Sequence, residues 1–352
     1  MKYAISADVH GHIYPEHNKP SDLTGSTRLD RIILSLRYKK EYCLANGIKH
    51  MMFAGDLYHQ RARVHTVVYN SLRDEIKAIG EAGIEVLMIP GNHDQIDNSD
   101  FPQHSLHSFR ELDNITVVDD YRIVKFGDAD VVCVPYSKNA QMIKTFLESI
   151  PTDLENPILL GHMGISGGFV GNGNFPMADA FTVEDLRPDL FKYVFLGHFH
   201  MYQLLGGHPH VMYVGSPLEH SHGDEGEDKG FVVADTSKRF DTKLIPIPNP
   251  KFLTLDRDAI MDGAVLEEHA RLGNYLRFEL NAEDAAWLSS VAPVNLLYKV
   301  ILKKEYKEEL RVPVKIGMSF EDIITKYAEE YDPDALELGL EILQRVQQAK
   351  GV

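Results

Sequence analysis

A chain of 352 residues with 44% hydrophobic and 25% charged side chains is long enough for two domains and ordinary enough in composition to bury a sizeable core. Its apolar runs fall short of the ~20 residues of a membrane span, its start carries no signal-peptide pattern, and two cysteines, Cys43 and Cys133, exclude a disulfide framework; an intracellular protein is expected. The formal net charge of −16 excludes a generally basic surface for non-specific nucleic-acid binding, but not a local groove or a metal-neutralised site.

Residues 2–7 read as a buried strand that ends at Asp8-Val9-His10. A polar loop over 13–26 leads into a helix over 27–46, with Leu29, Ile32, Ile33, Leu36 and Leu44 on its apolar stripe. His50–Ala54 is a second strand, ending at Gly55-Asp56, and 65–82 a second helix. The apolar run 84–89 ends at Pro90 and releases Gly91-Asn92-His93-Asp94 into a turn. Strand–helix–strand–helix–strand predicts an α/β domain with parallel strands. Short strands are expected within 115–136 and a helix near 139–149. A strand at 158–160 ends at Gly161-His162, and a glycine-rich loop covers 164–173. A strand over 191–196 ends at Gly197-His198-Phe199-His200, and strands follow at 211–214 and 230–235, the latter expected to be the domain's last. Pro246, Pro248 and Pro250 mark a boundary. Beyond it, Tyr275–Leu280 and Leu296–Leu302 alternate like strands of a small α/β unit, and Ser319–Tyr331 and Pro333–Gln348 read as helices. The second carries Leu336, Leu340, Leu343 and Val346 on one stripe.

Of the 17 histidines, all but His269 precede residue 223, which confines the chemistry to the first two-thirds. Five strands end in polar residues of one chemical kind: Asp8-x-His10, Gly55-Asp56, Gly91-Asn92-His93-Asp94, Gly161-His162 and Gly197-His198-x-His200. A lone histidine in a polar loop is ordinarily just a solvated residue. Five such clusters at strand ends are different, because sites in α/β sheets form beyond the carboxyl ends of strands. Imidazole, carboxylate and amide donors together suit Mn²⁺, Fe²⁺ or Zn²⁺ rather than an all-oxygen Mg²⁺ or Ca²⁺ site. Seven candidate ligands, Asp8, His10, Asp56, Asn92, His162, His198 and His200, exceed the needs of one ion with an open position. Two ions sharing a carboxylate is the economical arrangement, and it suits in-line phosphoryl displacement. Asp56, alone in its segment, is the expected bridge.

In this order the motifs D-x-H, G-D, G-N-H-D, G-H and G-H-x-H resemble the calcineurin-like metallophosphoesterases. Gly55-Asp56-Leu57-Tyr58-His59, and Tyr213-Val214-Gly215-Ser216-Pro217 followed by Lys229-Gly230-Phe231, are similar to segments of the SbcD and meiotic-recombination (MRE-type) DNA repair nuclease subunits, in their compact bacterial or phage form. The resemblance implies an α/β fold, a four-layer α/β/β/α sandwich with a small α/β capping domain and C-terminal helices. It places the di-metal nuclease domain at 1–248, a capping, DNA-binding domain at 249–316 and an ATPase-docking segment at 317–352. One ion would take Asp8, His10, Asp56 and His200, and the other Asp56, Asn92, His162 and His198. His93 would be the general acid, Asp94 would orient it, and His59 would contact the substrate phosphate. Within the locally basic stretch from Lys299 to Lys315, Lys303 and Lys304 are candidate DNA contacts. The implied activity is duplex exonuclease and single-strand endonuclease, with two Mn²⁺, or Mg²⁺, as cofactors. The implied setting is a homodimer joined to a coiled-coil SMC-like (SbcC-type) ATPase in double-strand-break repair, in the cytoplasm of a bacterium or a phage-infected host. No G-x-x-x-x-G-K-[ST] stretch occurs, so the chain itself is not expected to hydrolyse ATP. The competing expectations are a phosphatase or small-molecule phosphodiesterase of the same superfamily, and a DNA-end-binding scaffold.

Overall fold

The structure, a computed structural model, describes residues 1–171, 175–176, 181–303, 315 and 317–350. In chain order its elements begin with β1 (Lys2–Ser6), α1 (Thr27–Ala45), β2 (His50–Ala54), α2 (Thr66–Glu81), β3 (Glu85–Ile89), β4 (Ile115–Val117), β5 (Arg122–Phe126), β6 (Ala129–Val134), α3 (Ala140–Glu148) and β7 (Ile158–His162). They continue with β8 (Phe169–Val170), β9 (Phe175–Pro176), β10 (Tyr193–Gly197), β11 (Gln203–Leu205), β12 (His208–Tyr213), β13 (Gly230–Asp235) and β14 (Thr242–Pro246). Two six-stranded mixed sheets result, ordered β14-β13-β1-β2-β3-β4 and β11-β12-β10-β7-β6-β5.

Alternation explains why the central strands are largely apolar. Tyr3, Ile5 and Ala7 face a shared core with Ile158, Leu160, Tyr193 and Phe195 of the second sheet. Ala4, Met51 and Phe53 face the other way, onto Ile32, Leu36, Leu72 and Ile76 of α1 and α2. Leu159, Val194 and Val211 of the second sheet pack outward on Ile143 and Leu147 of α3. A strand covered on both faces reads as a continuous hydrophobic run, and the layers are α/β/β/α. Ser26 caps α1 by accepting the Leu29 N–H.

Two local expectations are corrected. Residues 230–235 are not the last strand of the domain: β14 pairs antiparallel with β13 and forms the sheet edge. The glycine-rich loop contains the two-residue strand β8, which pairs antiparallel with β9 just beyond it.

After Pro250 come β15 (Phe252–Leu255), α4 (Arg257–Met261), α5 (Gly263–Leu272), β16 (Tyr275–Leu280), α6 (Ala282–Val291) and β17 (Leu297–Leu302). The three strands form a separate parallel sheet in the order β15-β16-β17. Its core holds Ile260, Leu266, Leu276, Phe278 and Leu288. Met1–Leu302 form one compact unit and Lys303–Val352 another. The second contains α7 (Phe320–Tyr331) and α8 (Leu336–Lys350), started by a Ser319–Asp322 capping box. Leu336, Leu340 and Leu343 are half-buried, whereas Val346, Leu338 and Ile342 are exposed. Among the described residues no helix is long and apolar enough to cross a membrane.

Candidate metal centre

Strands β1, β2 and β3 are parallel neighbours in one sheet, as are β7, β10 and β12 in the other. Their carboxyl ends therefore emerge side by side. Asp8 and His10 follow β1, Asp56 follows β2, Asn92 and His93 follow β3, His162 ends β7, and His198 and His200 follow β10. All seven candidate ligands converge. His10 Nε2 lies 3.0 Å from His200 Nε2, 3.6 Å from Asp56 Oδ2 and 3.9 Å from Asp8 Oδ1. Asp56 Oδ2 is also 3.4 Å from His162 Nε2. The Asn92 Oδ1 is 3.0 Å from both His162 Nε2 and His198 Nδ1. Donor atoms of Asp8, His10 and His200 lie within 4.8 Å of one another, as do those of Asp8, Asp56 and His162, and those of His10, His59 and His93.

Backbone geometry makes this crowding possible. A Cβ on Gly91 would meet Asp56 Oδ1 at 2.2 Å, and one on Gly55, at φ +86°, would meet His162 Nδ1 at 2.5 Å. Four of the candidate ligands themselves adopt positive φ: Asp8 (50°), His10 (47°), Asp56 (54°) and His198 (108°). Such strain persists only where the surroundings over-determine it. Here those surroundings are hydrogen bonds. The Asp8 carboxylate accepts the His198 N–H at 3.1 Å on each oxygen, and Asp56 Oδ1 accepts the His93 N–H at 2.8 Å.

The electrostatics are those of a buried, mixed-charge cluster. Burial pushes the Asp8 carboxyl up to about 6 despite the neighbouring His162 and His200. Burial works against the Asp56 carboxylate as well, but His162 and His93 bring it down to about 2. Burial disfavours a charged His162, yet Asp56 and Asp8 raise it to about 9. Burial, with the surrounding imidazoles, lowers His10 well below its usual range and His198 to about 3. Buried imidazole nitrogens and carboxylate oxygens that face one another this closely fit a divalent transition metal.

His93 and Asp94 do not pair as expected. His93 Nδ1 lies 2.5 Å from the His59 carbonyl oxygen. Asp94 accepts the N–H groups of Leu57 (3.3 Å), Tyr58 (3.0 Å) and Gly91 (3.0 Å). A short aspartate at the end of a tight turn is well placed to accept unpaired backbone donors. Asp94 thus ties the β2 and β3 loops together, and burial and the Asp56 charge raise it to about 7. His59 stands over the site: its ring stacks on His93 with centroids 5.4 Å apart, and its Nδ1 is 3.3 Å from His10 Nδ1. Lys303 is exposed in the second unit, and Lys304 lies outside the described residues. Lys299, from the same basic stretch, pairs with Glu16 at 2.5 Å.

Several neighbours of the site escaped the sequence reading. The His220 ring lies 5.3 Å from His10 and 5.5 Å from His200. Asp224 Oδ1 is 3.5 Å from His200 Nδ1. A cleft of about 350 Å³ beside these groups is lined by Tyr14, Arg28, His59, His200, His220 and Asp224. The signal available was the dense run His220-Ser221-His222-Gly223-Asp224 just after Gly215-Ser216-Pro217.

The chain is similar to several known proteins. The chain aligns with the exonuclease subunit 1 of Enterobacteria phage T4 at 28% identity over 212 residues, 58% of this chain and 58% of that protein. The chain therefore spans less than two-thirds of that relative. It aligns with the DNA double-strand break repair protein Mre11 of Sulfurisphaera tokodaii at 24% identity over 315 residues, 80% of this chain and 77% of that protein. A dimetal phosphatase structure from Danio rerio matches at 10% identity and a TM-score of 0.41, over 66% of this chain and 91% of that one. Residues 1–202 match the calcineurin-like phosphoesterase family, and the chain belongs to it.

Proposed function

We propose that the chain is a metal-dependent DNA nuclease subunit, a phosphodiesterase acting as an exonuclease on duplex ends and an endonuclease on single strands. The observation that carries the two-ion reading is the place of Asp56 Oδ2, 3.6 Å from His10 Nε2 on one side and 3.4 Å from His162 Nε2 on the other. Asp8, His10, Asp56 and His200 would hold one ion, and Asp56, Asn92, His162 and His198 the second. Two divalent ions held there, Mn²⁺ before Mg²⁺, would supply charge neutralisation for an in-line phosphoryl displacement. The names of the two relatives, an exonuclease subunit and a double-strand break repair protein, support DNA as the substrate.

The chain's own residues supply position and a proton. The His59 carbonyl holds the Nδ1 side of His93, so Nε2 is the atom that would protonate the departing 3′-oxygen. Asp94 fixes the turn that carries His93. The His59 ring, at the mouth of the site, would contact a substrate phosphate, and Lys303 and Lys304 would contact the DNA backbone.

The domain roles are proposed on the same footing: nuclease domain to 248, capping domain over 249–316, and a terminal segment that docks a coiled-coil SMC-like ATPase. The exposed Leu338 and Ile342 of α8 favour that docking role. A homodimer completes the proposed assembly.

The test is turnover of end-labelled duplex DNA, circular single-stranded DNA, a bis-aryl phosphate and a nucleotide monophosphate, each with Mn²⁺, Mg²⁺ or chelator. Cleavage of both DNA substrates, strongest with Mn²⁺ and abolished by chelation, is the expected result. Monophosphate hydrolysis with intact DNA would identify a phosphatase instead, and stoichiometric DNA-end binding without turnover would identify a scaffold.

A further inference from the structure

The loop over residues 216–229 faces two ways. Toward the site, His220 Nε2 is 3.1 Å from the Asp8 carbonyl oxygen. The backbone oxygen of His200 accepts two donors from this loop, the Ser216 N–H at 2.9 Å and the Lys229 ammonium at 2.9 Å. Lys229 is buried and pairs with Glu227 at 2.6 Å and Asp224 at 3.4 Å. Asp224 in turn faces the His200 ring and closes the loop's own turn, accepting the N–H groups of His220 and Ser221 at 2.8 and 3.1 Å. His200 is thus gripped at its backbone and at its ring by one short loop.

The other side of the loop grips the small sheet. Strand β15 is an edge strand of that sheet, and its outward N–H groups at alternate residues need acceptors. Glu219 accepts the Phe252 N–H at 2.6 Å, and Glu225 accepts the Thr254 N–H at 2.5 Å and the Thr254 hydroxyl at 2.6 Å. Arg28 donates to the His220 carbonyl at 2.8 Å, with its guanidinium carbon 5.0 Å from the Phe252 ring and 4.7 Å from the Tyr275 ring. Because Phe252 and Thr254 are held by carboxylates two strand positions apart, β15 cannot slide along the loop without losing both acceptors.

We propose that this loop is a positioning link, through which the seating of β15 sets the His200 and Asp8 side of the centre and so the affinity of one of the two ions. The inference rests on the two-ion reading above. Partners that orient a metal ligand from behind it typically govern 10–100-fold in metal affinity. Glu225 touches no candidate ligand directly, so its substitution reads the link rather than the site.

The experiment is calorimetric titration of the metal-free full-length chain with Mn²⁺, alongside thermal unfolding in chelator. Wild type should bind two ions. Glu225→Ala should weaken one of them by about 10-fold while the metal-free unfolding midpoint stays near wild type. Glu225→Gln, which keeps a carbonyl acceptor for Thr254, should restore most of that affinity. Asp224→Asn should weaken the same ion. Wild-type affinity for both ions in Glu225→Ala overturns the proposal, as does an equal weakening of both ions that tracks a fallen unfolding midpoint. Failure of the wild type itself to bind two ions would instead overturn the two-ion reading on which the proposal rests.

Discussion

His198 and Asp8 stand 190 residues apart in the chain, yet the His198 N–H donates to both oxygens of the Asp8 carboxylate at 3.1 Å. One residue follows a strand of the first sheet and the other a strand of the second, so this contact fixes the two halves of the centre to each other. Asp8 is fully buried, which strengthens a charge-assisted bond of this kind.

Asp56→Ala should be the most damaging single ligand change. Its Oδ2 faces both His10 and His162, and its Oδ1 holds the His93 N–H. The expected result is loss of both ions on calorimetry and a fall in activity beyond the ~10–100-fold typical of an outer-shell partner. A variant that still binds one ion at wild-type affinity would show that Asp56 serves a single metal position.

His93→Ala should retain two ions and lose activity by ~10²–10⁴-fold, the usual contribution of a positioned general acid. Metal counting after desalting decides between roles: loss of an ion would make His93 a ligand, as its place in the His10–His59–His93 group allows.

His59→Ser should lower duplex exonuclease activity more than single-strand endonuclease activity. A duplex backbone must be turned into line with the site, whereas a flexible strand reaches it unaided. Burial and the neighbouring His93 and His12 lower the His59 imidazole to about 4, so near neutral pH it acts as a neutral hydrogen-bonding ring. Both activities are measured on one preparation. Equal losses would assign His59 to support of His10, whose Nδ1 lies 3.3 Å away.

Lys39 gives a pH test independent of the metal centre. It is fully buried and donates to Ser6 Oγ at 2.7 Å, and burial lowers its ammonium from the usual 10.5 to about 7. Below pH 7 folded and unfolded chains both carry the charge, and the burial penalty is complete. Between pH 7 and 10.5 the unfolded chain binds the proton and the folded one does not, so this group's contribution to stability rises with pH. Lys39→Met should therefore be more stable than wild type at pH 7, by on the order of a few kcal/mol, and the difference should shrink toward pH 10.5. Urea unfolding of the metal-free proteins at both pH values measures it. A pH-independent difference would show that Lys39 stays charged in the fold.

A chain ending at residue 316 should fold, bind two ions and lose capture by the proposed coiled-coil ATPase partner. The expectation follows from the separate compactness of Lys303–Val352. Thermal unfolding and metal titration check the first two parts, and co-purification with the ATPase checks the third. Aggregation of the truncated chain would assign α7 and α8 a structural role.

The sequence by itself determined the parallel α/β arrangement and the set of candidate ligands, and its family resemblance implied the layers. Strands covered on both faces are apolar at nearly every position, so β1, β2, β3, β7 and β10 stand out as hydrophobic runs, and each ends in a polar cluster that has no place in a core. Parallel neighbours place those ends together, which makes Asp8, His10, Asp56, Asn92, His162, His198 and His200 legible before any coordinates. The tertiary structure alone decided the rest. That Asp94 bonds to backbone N–H groups while the His59 carbonyl meets His93 depends on turn geometry that residue type does not encode. The positive φ of Asp8, His10, Asp56 and His198 is imposed from outside, since nothing intrinsic to those residues demands it. The approach of His220, Asp224 and Lys229 to His200, and of Glu219 and Glu225 to β15, joins segments through long-range packing: the dense His220–Asp224 run marks the loop, but local patterning does not say what it meets.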